Sequence, residues 1–385
     1  GLNASLLALK INSKLAKVRF FHTKKNINKN LTSHNINSQY IKLCLFKKIY
    51  LYIKTTEKYR LIYKLIRLIF DFNFFESFLL NKGIDLVYFI SPSRYALDLN
   101  QLNFIFTVWD LCHRDQIEFP EVKNNNEFEN RELRLNYACK RAIKIIADCE
   151  YSKLNLSQKY NIELSRIRII PFEPLVDIKN DLYSCDTLMN TMEKYKIKNE
   201  YIYYPAQFWP HKNHIYILKG LFILEKKYKI IISAVFSGGD KGHKNFIVNY
   251  ANKLGIQDRL IFTGFVSNKE IISHYKNSLA LVMPTFFGPT NIPPLEAFKM
   301  GTPVIYSDLN GLRDQVGDAG LLIDLNHPNS LSEQLFKLLK DKNLRNDLIK
   351  KGYKYFEKYE DINRLIVLDK IVEEFIVKYS NYRNL

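Results

Sequence analysis

Cysteine is scarce. The five in 385 residues (Cys44, Cys112, Cys139, Cys149 and Cys185) stand apart, are odd in number and form no Cys-x-x-Cys pair. That excludes a disulfide framework and a zinc ribbon, and it fits a reducing cytosol. No stretch approaches the roughly 18 consecutive apolar residues of a membrane span, and no secretory leader is visible. Acidic residues are also in deficit: 39 Asp+Glu against 57 Lys+Arg, a net charge of +18. The imbalance favours anionic partners, whether nucleic acid, an anionic membrane surface or a phosphorylated substrate. The chain shows no Ser/His/Asp arrangement, metal-ligand cluster, phosphate-cradling P-loop or Asp-x-Asp motif. It has no pair of carboxylates placed to flank a glycosidic bond. Internal repeats and low-complexity tracts are absent too.

What is present is the make-up of a globular protein, 47% apolar and 25% charged, long enough for two ordinary domains. Short apolar segments alternate with helical patterns, the order that builds parallel sheets. In the first half the strand candidates are 85–90, 104–108, 143–147 and 167–170, and Lys17 to Phe21 can turn into another after the helical spacing that starts at Asn3. In the second half they are 201–204, 230–236, 260–262, 279–283, 303–306 and 321–323. Asn26 to Asn37 is a polar, Asn-rich loop. Glu173 to Lys198, with Pro174 and several charges, reads as a connection. Two doubly wound α/β domains facing across a cleft are expected, with ligands at the carboxyl ends of the strands. Gly352 to Tyr379 reads as helical, with Leu365, Leu368, Ile371, Val372 and Phe375 on one face.

Tyr40 to Phe75 interleaves Leu, Ile, Tyr and Phe with Lys42, Lys47, Lys48, Lys54, Lys58, Arg60, Lys64 and Arg67. Tyr59 to Arg67 has helical apolar spacing and a basic face. Such a helix either lies on anionic lipid or packs its apolar face on a sheet while its lysines are solvated. The basic, tyrosine-rich character also suits single-stranded nucleic acid, but no RNA- or DNA-binding motif accompanies it.

The most informative stretch runs from Phe287 to Ile305. The apolar segment Ala280 to Met283 leads through Pro284 into a Gly288-Pro289-Thr290-Asn291 loop and then to Pro293-Pro294. A short helix over Leu295 to Met300 follows, and Gly301 stops it. Proline suits a helix start, where its missing N–H costs nothing. The helix end presents backbone N–H groups and the positive end of a dipole, a phosphate site. Glu296, in the first turn, can accept hydrogen bonds from two sugar hydroxyls. Together these features suggest a sugar nucleotide; any strand-loop-helix unit of an α/β fold, with Glu296 serving only the dipole, has the same spacing.

This segment resembles the donor-site signature of the retaining glycosyltransferases of family 4 (glycosyl transferases group 1), and the resemblance extends over most of the chain. The family pattern places two Glu eight positions apart. Here the second is Glu296 and the first position is Gly288. The resemblance implies a GT-B fold: two facing Rossmann-like domains with a C-terminal helix crossing back to the first. The expected division is 1–175 for an acceptor-binding domain, 176–355 for a nucleotide-sugar-binding domain and 356–385 for the crossover helix. Family members open with a strand and a Gly-rich turn, so the first strand is expected to be missing, with Gly1 the last turn glycine; a natural start with a frayed end is the alternative.

The resemblance also implies site residues. Lys212, in the loop Tyr203 to His214, is expected to grip the donor diphosphate, where its charge counts most as negative charge builds on the leaving group. Gln207 stands where relatives commonly carry Arg. Gly238, in Ser237-Gly238-Gly239-Asp240, permits close approach to the nucleotide. Phe265 or Val266 is placed to pack on the base, or else ends a core strand. Thr290 and the backbone N–H groups of Asn291 and Ile292 line the phosphate site, and Glu296 holds the ribose. In the first half, Trp109 stands where many relatives carry His. His113 is then the imidazole expected at the reacting sugar, with Asp110 orienting it or the loop. An ordinary satisfied His–Asp pair is the alternative. Asp148 and Ser152 are expected to cap and position.

The expectation is a retaining glycosyltransferase moving a sugar from a nucleotide-sugar donor to a glycan or polyprenyl-linked acceptor in envelope polysaccharide biosynthesis. Catalytic roles fall to His113, Asp110 and Lys212. No cofactor is expected, because the nucleotide-sugar is a substrate and Lys212 with a helix dipole replaces a metal ion. The expected location is cytoplasmic, with contact to an anionic membrane surface and none to nucleic acid. The rival from another class is a non-catalytic GT-B-like scaffold or sugar-nucleotide-binding protein, supported by Gly288, Gln207 and Trp109 at places usually given to functional residues.

Overall fold

The computed structural model describes residues 2–23, 37–174 and 191–382. Gly1, the Asn-rich loop up to residue 36, most of the 173–198 connection with Cys185, and the expected boundary at 175/176 lie outside those residues. The described chain divides into two compact units. The first comprises residues 1–118, 122–172 and 363–385, the second 119–121 and 173–362.

The first unit holds a parallel sheet of four strands in sequence order: β3 (Leu86–Phe89), β4 (Asn103–Thr107), β5 (Lys144–Ala147) and β6 (Ile167–Ile169). A separate parallel pair, β1 (Phe20–His22) and β2 (Ser38–Tyr40), lies outside that sheet. Strand β2 was not legible, because Ser38-Gln39-Tyr40 carries no apolar run. Along β4, Phe104 and Phe106 enter one core cluster and Ile105 enters another, so both faces of the sheet are covered. The second face is closed by the helix Arg364–Tyr379, whose Leu368 and Ile371 meet Ile105 and Ile146. The expected single helix over 352–379 is in fact two, Lys342–Glu360 and Arg364–Tyr379. Asn363 caps the second by accepting from the Ile366 N–H at 3.2 Å.

The second unit holds six parallel strands: β7 (Tyr201–Pro205), β8 (Ser233–Ser237), β9 (Leu260–Gly264), β10 (Ala280–Met283), β11 (Val304–Ser307) and β12 (Gly320–Ile323). Their order across the sheet is β12-β11-β10-β7-β8-β9. The chain therefore builds outward from β7 through β8 to β9, returns to the other side of β7 and builds outward again. The strand order reverses between β7 and β10, and such a switch point is the usual ligand position of these sheets. The core of this unit is rich in tyrosine: Tyr201, Tyr203, Tyr204, Tyr275 and Tyr306 are all fully buried.

Candidate functional site

Two loops meet at the β7/β10 switch point. The loop after β7 runs Ala206 to Lys212 and ends in a short turn over Pro210–Lys212. Asn213 then adopts a left-handed backbone and the helix His214–Tyr228 begins. The loop after β10 runs Pro284 to Asn291. They are joined by backbone, since the Phe286 N–H donates to the His211 carbonyl at 3.0 Å. They are joined by side chains too: Lys212 Nζ lies 3.5 Å from Asn291 Oδ1, and the His211 and Phe287 rings stack at 4.1 Å with planes 11° apart.

Buried tyrosines anchor the parts that matter. The Tyr204 hydroxyl donates to the Lys212 carbonyl at 3.0 Å, fixing where the lysine stem begins. The Tyr306 hydroxyl accepts from Asn291 Nδ2 at 2.7 Å and donates to Gln315 Oε1 at 3.0 Å. The Tyr275 hydroxyl donates to Glu296 Oε2 at 2.9 Å. Each phenol extends from the packed interior and spends its polar tip on a loop or helix end, so the core and the site share the same side chains.

The helix of the central stretch is Ile292–Lys299, starting three residues earlier than expected, with proline in its first turn. Two expectations change with it. Glu296 falls in the second turn, partly buried. Burial raises its pKa and the Tyr275 hydrogen bond opposes that rise. The Asn291 N–H donates to Gln315 Oε1 at 2.9 Å, while Gln315 Nε2 donates back to the Asn291 carbonyl at 2.5 Å. That N–H is occupied and is not a free phosphate donor. Gly288 has φ +91°, and a Cβ there would lie 3.1 Å from Asn291 Nδ2 and 3.2 Å from the Thr290 carbonyl. A glutamate at this position would strain this loop as it is built here.

The loop after β8 closes the other side of β7. Gly238 has φ +151°, and a Cβ on it would meet the Ala206 carbonyl oxygen at 2.4 Å, so the two loops approach as only glycine allows. The Phe208 N–H donates to the Gly239 carbonyl at 3.1 Å, and the Gly238 N–H to that of Gly264 at 2.9 Å. Phe265, 83% exposed, lays its ring edge over Gly239. Gln207 Oε1 accepts from Trp209 Nε1 at 3.0 Å. The structure thus gathers Gln207, Gly238 and Phe265 on one side of β7, and Lys212, Thr290, Asn291, Ile292 and Glu296 on the other.

One partner was invisible in the sequence. Glu121, from the segment 119–121 that belongs to this unit, accepts from both the His211 backbone N–H (3.0 Å) and the His211 ring Nδ1. The carboxylate is buried, and its Oε2 has no partner among the described residues. Ninety residues separate the pair, and no local signal announces it.

The first unit sets His113 and Asp110 in separate hydrogen-bond networks. His113 is fully buried, with Nε2 2.8 Å from Glu132 Oε1 and 3.2 Å from Tyr160 Oη. Burial depresses its pKa, partly offset by the Glu132 hydrogen bond. Glu132 is itself forked by Arg114 at 2.7 and 2.5 Å. Burial works to raise its pKa, but the bonds from Arg114, Tyr160 and His113 outweigh it and hold the group at about 2. Asp110 does not touch His113 among the described contacts; it accepts from the Cys112 N–H at 3.0 Å and Arg131 Nη1 at 2.9 Å. His113 is thus built into a core network and Asp110 orients the loop. Ser152 and Asp148, both buried, bond each other.

Residues 190–355 match the family model of glycosyl transferases group 1. The D-inositol 3-phosphate glycosyltransferase of Paenarthrobacter aurescens (strain TC1) is 25% identical over 235 residues, covering 60% of this chain and 56% of that protein. The O-antigen chain mannosyltransferase B of Escherichia coli is 23% identical over 244 residues, covering 63% and 60%. The alignments thus span somewhat over half the length of these relatives. Among solved structures, Anabaena Alr3699/HepE in complex with UDP-glucose superposes with a TM-score of 0.70 at 14% identity, covering 98% of this chain and 96% of that one. A glycosyltransferase from Rickettsia africae ESF-5 gives 0.69 at 15% identity, covering 97% and 94%. The fold is therefore that of the GT-B glycosyltransferases.

Proposed function

We propose that this chain, whose residues 190–355 form a glycosyl transferases group 1 domain, transfers a hexose from a nucleotide-sugar to a glycan or polyprenyl-linked acceptor. The observation that carries the proposal is the meeting of Lys212 and Asn291 at the switch point of a six-stranded parallel sheet, with Glu296 on the helix that Asn291 begins. Lys212 is assigned to the diphosphate and Glu296 to the ribose hydroxyls. Thr290 and the Ile292 N–H line the phosphate side, and Gly238 and Phe265 the base side. The UDP-glucose complex of the similar fold and the sugar-transferring relatives support a nucleotide-sugar donor.

As the glycosidic bond breaks, negative charge grows on the departing diphosphate. A fixed ammonium and a helix N-terminus stabilise that charge without rearranging. Retention would follow from attack of the acceptor hydroxyl on the face the diphosphate leaves, with a diphosphate oxygen taking the hydroxyl proton. Asp110 and His113 act in this reading as positioning residues of the first unit, and no metal ion is needed. The proposed location is the cytoplasm, at the inner face of a membrane carrying the acceptor; among the described residues no helix is long and apolar enough to cross one.

The test is release or transfer of labelled sugar from a panel of nucleotide-sugars. Turnover that falls at least a hundredfold in Lys212→Ala supports the reading. Tight donor binding with no turnover, even when lipid-linked acceptors are supplied, would make the chain a sugar-nucleotide-binding scaffold. The occupied Asn291 N–H and the Gln207–Trp209 bond favour that second reading.

A further inference from the structure

Between Lys42 and Arg67 the chain carries eight basic residues against one acidic, Glu57. The structure separates them. Lys54 is buried, with Nζ 2.6 Å from Asp98 Oδ1, and belongs to the core rather than to a basic surface. The helix Arg60–Arg67 has no buried residue at all. Arg60, Lys64 and Arg67 fall at i, i+4 and i+7 and make a cationic stripe, in which Arg60 pairs with Glu57 at 3.1 Å and Arg67 with Asp71 at 3.0 Å. Leu61, Leu65 and Leu68 fall at the same spacing beside it, exposed by 75, 67 and 84%. Ile69, Phe70 and Phe72 continue the apolar surface, each at least half exposed.

This surface is built, not frayed. The Tyr50 hydroxyl accepts from the Phe72 N–H at 3.0 Å and donates to the Phe70 carbonyl at 3.3 Å. Lys54 Nζ donates to the Phe72 carbonyl at 3.1 Å, and Arg67 Nε to Asp71 Oδ2 at 3.0 Å. The backbone of the segment is thus tied inward while its large apolar side chains are turned out. Contiguous exposed apolar surface of this kind marks an interaction site. An apolar ridge flanked by a cationic stripe matches the layered chemistry of an anionic bilayer surface, acyl chains below and phosphates above.

We propose that the Arg60–Phe72 segment is a membrane-docking face, inserting Leu61, Leu65, Leu68 and Ile69 among the lipids and placing Arg60, Lys64 and Arg67 at anionic headgroups. The proposal specifies the surface that meets the membrane of the functional reading, but it stands apart from donor chemistry and is tested without donor or acceptor.

The experiment is flotation of the full chain with vesicles of neutral phosphatidylcholine, alone or with 30% phosphatidylglycerol (about one lipid in three, enough for a strong surface charge), at low and high salt. Binding to the anionic vesicles is expected, at least tenfold above neutral ones and weakened by salt. The Leu61→Glu/Leu65→Glu double variant should lose it, and Lys64→Gln should weaken it roughly fivefold. These side chains are exposed, so the variants should keep the wild-type melting temperature. Binding unchanged in the double variant, or no binding to any vesicle, would overturn the proposal. So would a wild-type dimer that the double variant converts to monomer, or selective capture of single-stranded RNA by this face. Nucleotide binding measured on the same variants is expected to be unchanged, so loss of docking and failure of the transferase reading are told apart.

Discussion

The Tyr275 hydroxyl, on a fully buried side chain, donates to Glu296 Oε2 at 2.9 Å, so the carboxylate assigned to the donor ribose is oriented from within the core. Glu296 sits partly buried, with its pKa raised by desolvation. Glu296→Ala should weaken donor binding by about 10- to 100-fold, the worth of hydrogen bonds to a charged group. Tyr275→Phe should do so by less, about 3- to 10-fold, because it removes the orienting bond and not the acceptor. Because the ionised carboxylate is the better acceptor, donor affinity should fall on acidification at a pH above that expected for an ordinary glutamate. Calorimetric titration of both variants across pH checks all three.

Glu121 holds the loop after β7 through two bonds to His211. Glu121→Gln can still accept from the backbone N–H but loses the charge that fixes the imidazole. Its effect should appear mainly in the KM for donor, a few-fold, with kcat less changed. Glu121→Ala should add a loss of stability of about 1–3 kcal/mol, because both bonds to His211 go. Steady-state kinetics and thermal melts of the pair separate the two contributions.

Much of the fold was legible because apolar strand segments separated by helical patterns leave few alternatives. Lys212 and Glu296 stand out as candidates in the sequence because their neighbours along the chain form a motif. The helix start at Ile292 is not legible because a Pro-Pro pair reads as lying ahead of a helix, whereas here the prolines fit inside its first turn. The contacts from Tyr275 to Glu296, from Gln315 to Asn291 and from Glu121 to His211 join residues 21, 24 and 90 positions apart. No periodicity encodes such pairings, since they arise when sheet order brings loop ends together. His113 is a candidate in sequence because an imidazole near a strand end can meet a ligand, while its burial against Glu132 and Tyr160 is visible only in the structure.

Buried imidazoles set an acid limit on stability. His214, packed by Tyr204, Phe208 and Phe236, has its pKa pushed down to about 3 by burial, with His243 and Lys212 adding to the effect. Burial takes His274 down to about 4. Below the ordinary histidine value of 6.5 the unfolded chain takes up protons that these folded rings refuse, so stability must fall as pH falls. Each neutral ring contributes about 1.4 kcal/mol per pH unit, from near 6.5 down to its folded value. Denaturant melts between pH 7 and 4.5 should show the decline, and His214→Phe should flatten it by one proton's worth.

If Lys212 and the helix end supply the positive charge at the diphosphate, a chelator should leave sugar transfer within about twofold of its untreated rate, while Lys212→Ala should not be rescued by magnesium. Initial rates with and without EDTA check this. A hundredfold loss on chelation, restored by a divalent cation, would reassign the electrostatic role.

The most direct test of the donor site is thermal-shift titration of the wild-type chain and Lys212→Ala with nucleoside diphosphates and their sugars, UDP-glucose among them. At 100 times the dissociation constant, linkage predicts about 2.7 kcal/mol of stabilisation. One nucleotide should stabilise the wild type preferentially, and the shift should largely vanish in the variant. No shift with any nucleotide, or equal shifts in both proteins, would contradict a donor site at the β7/β10 switch point.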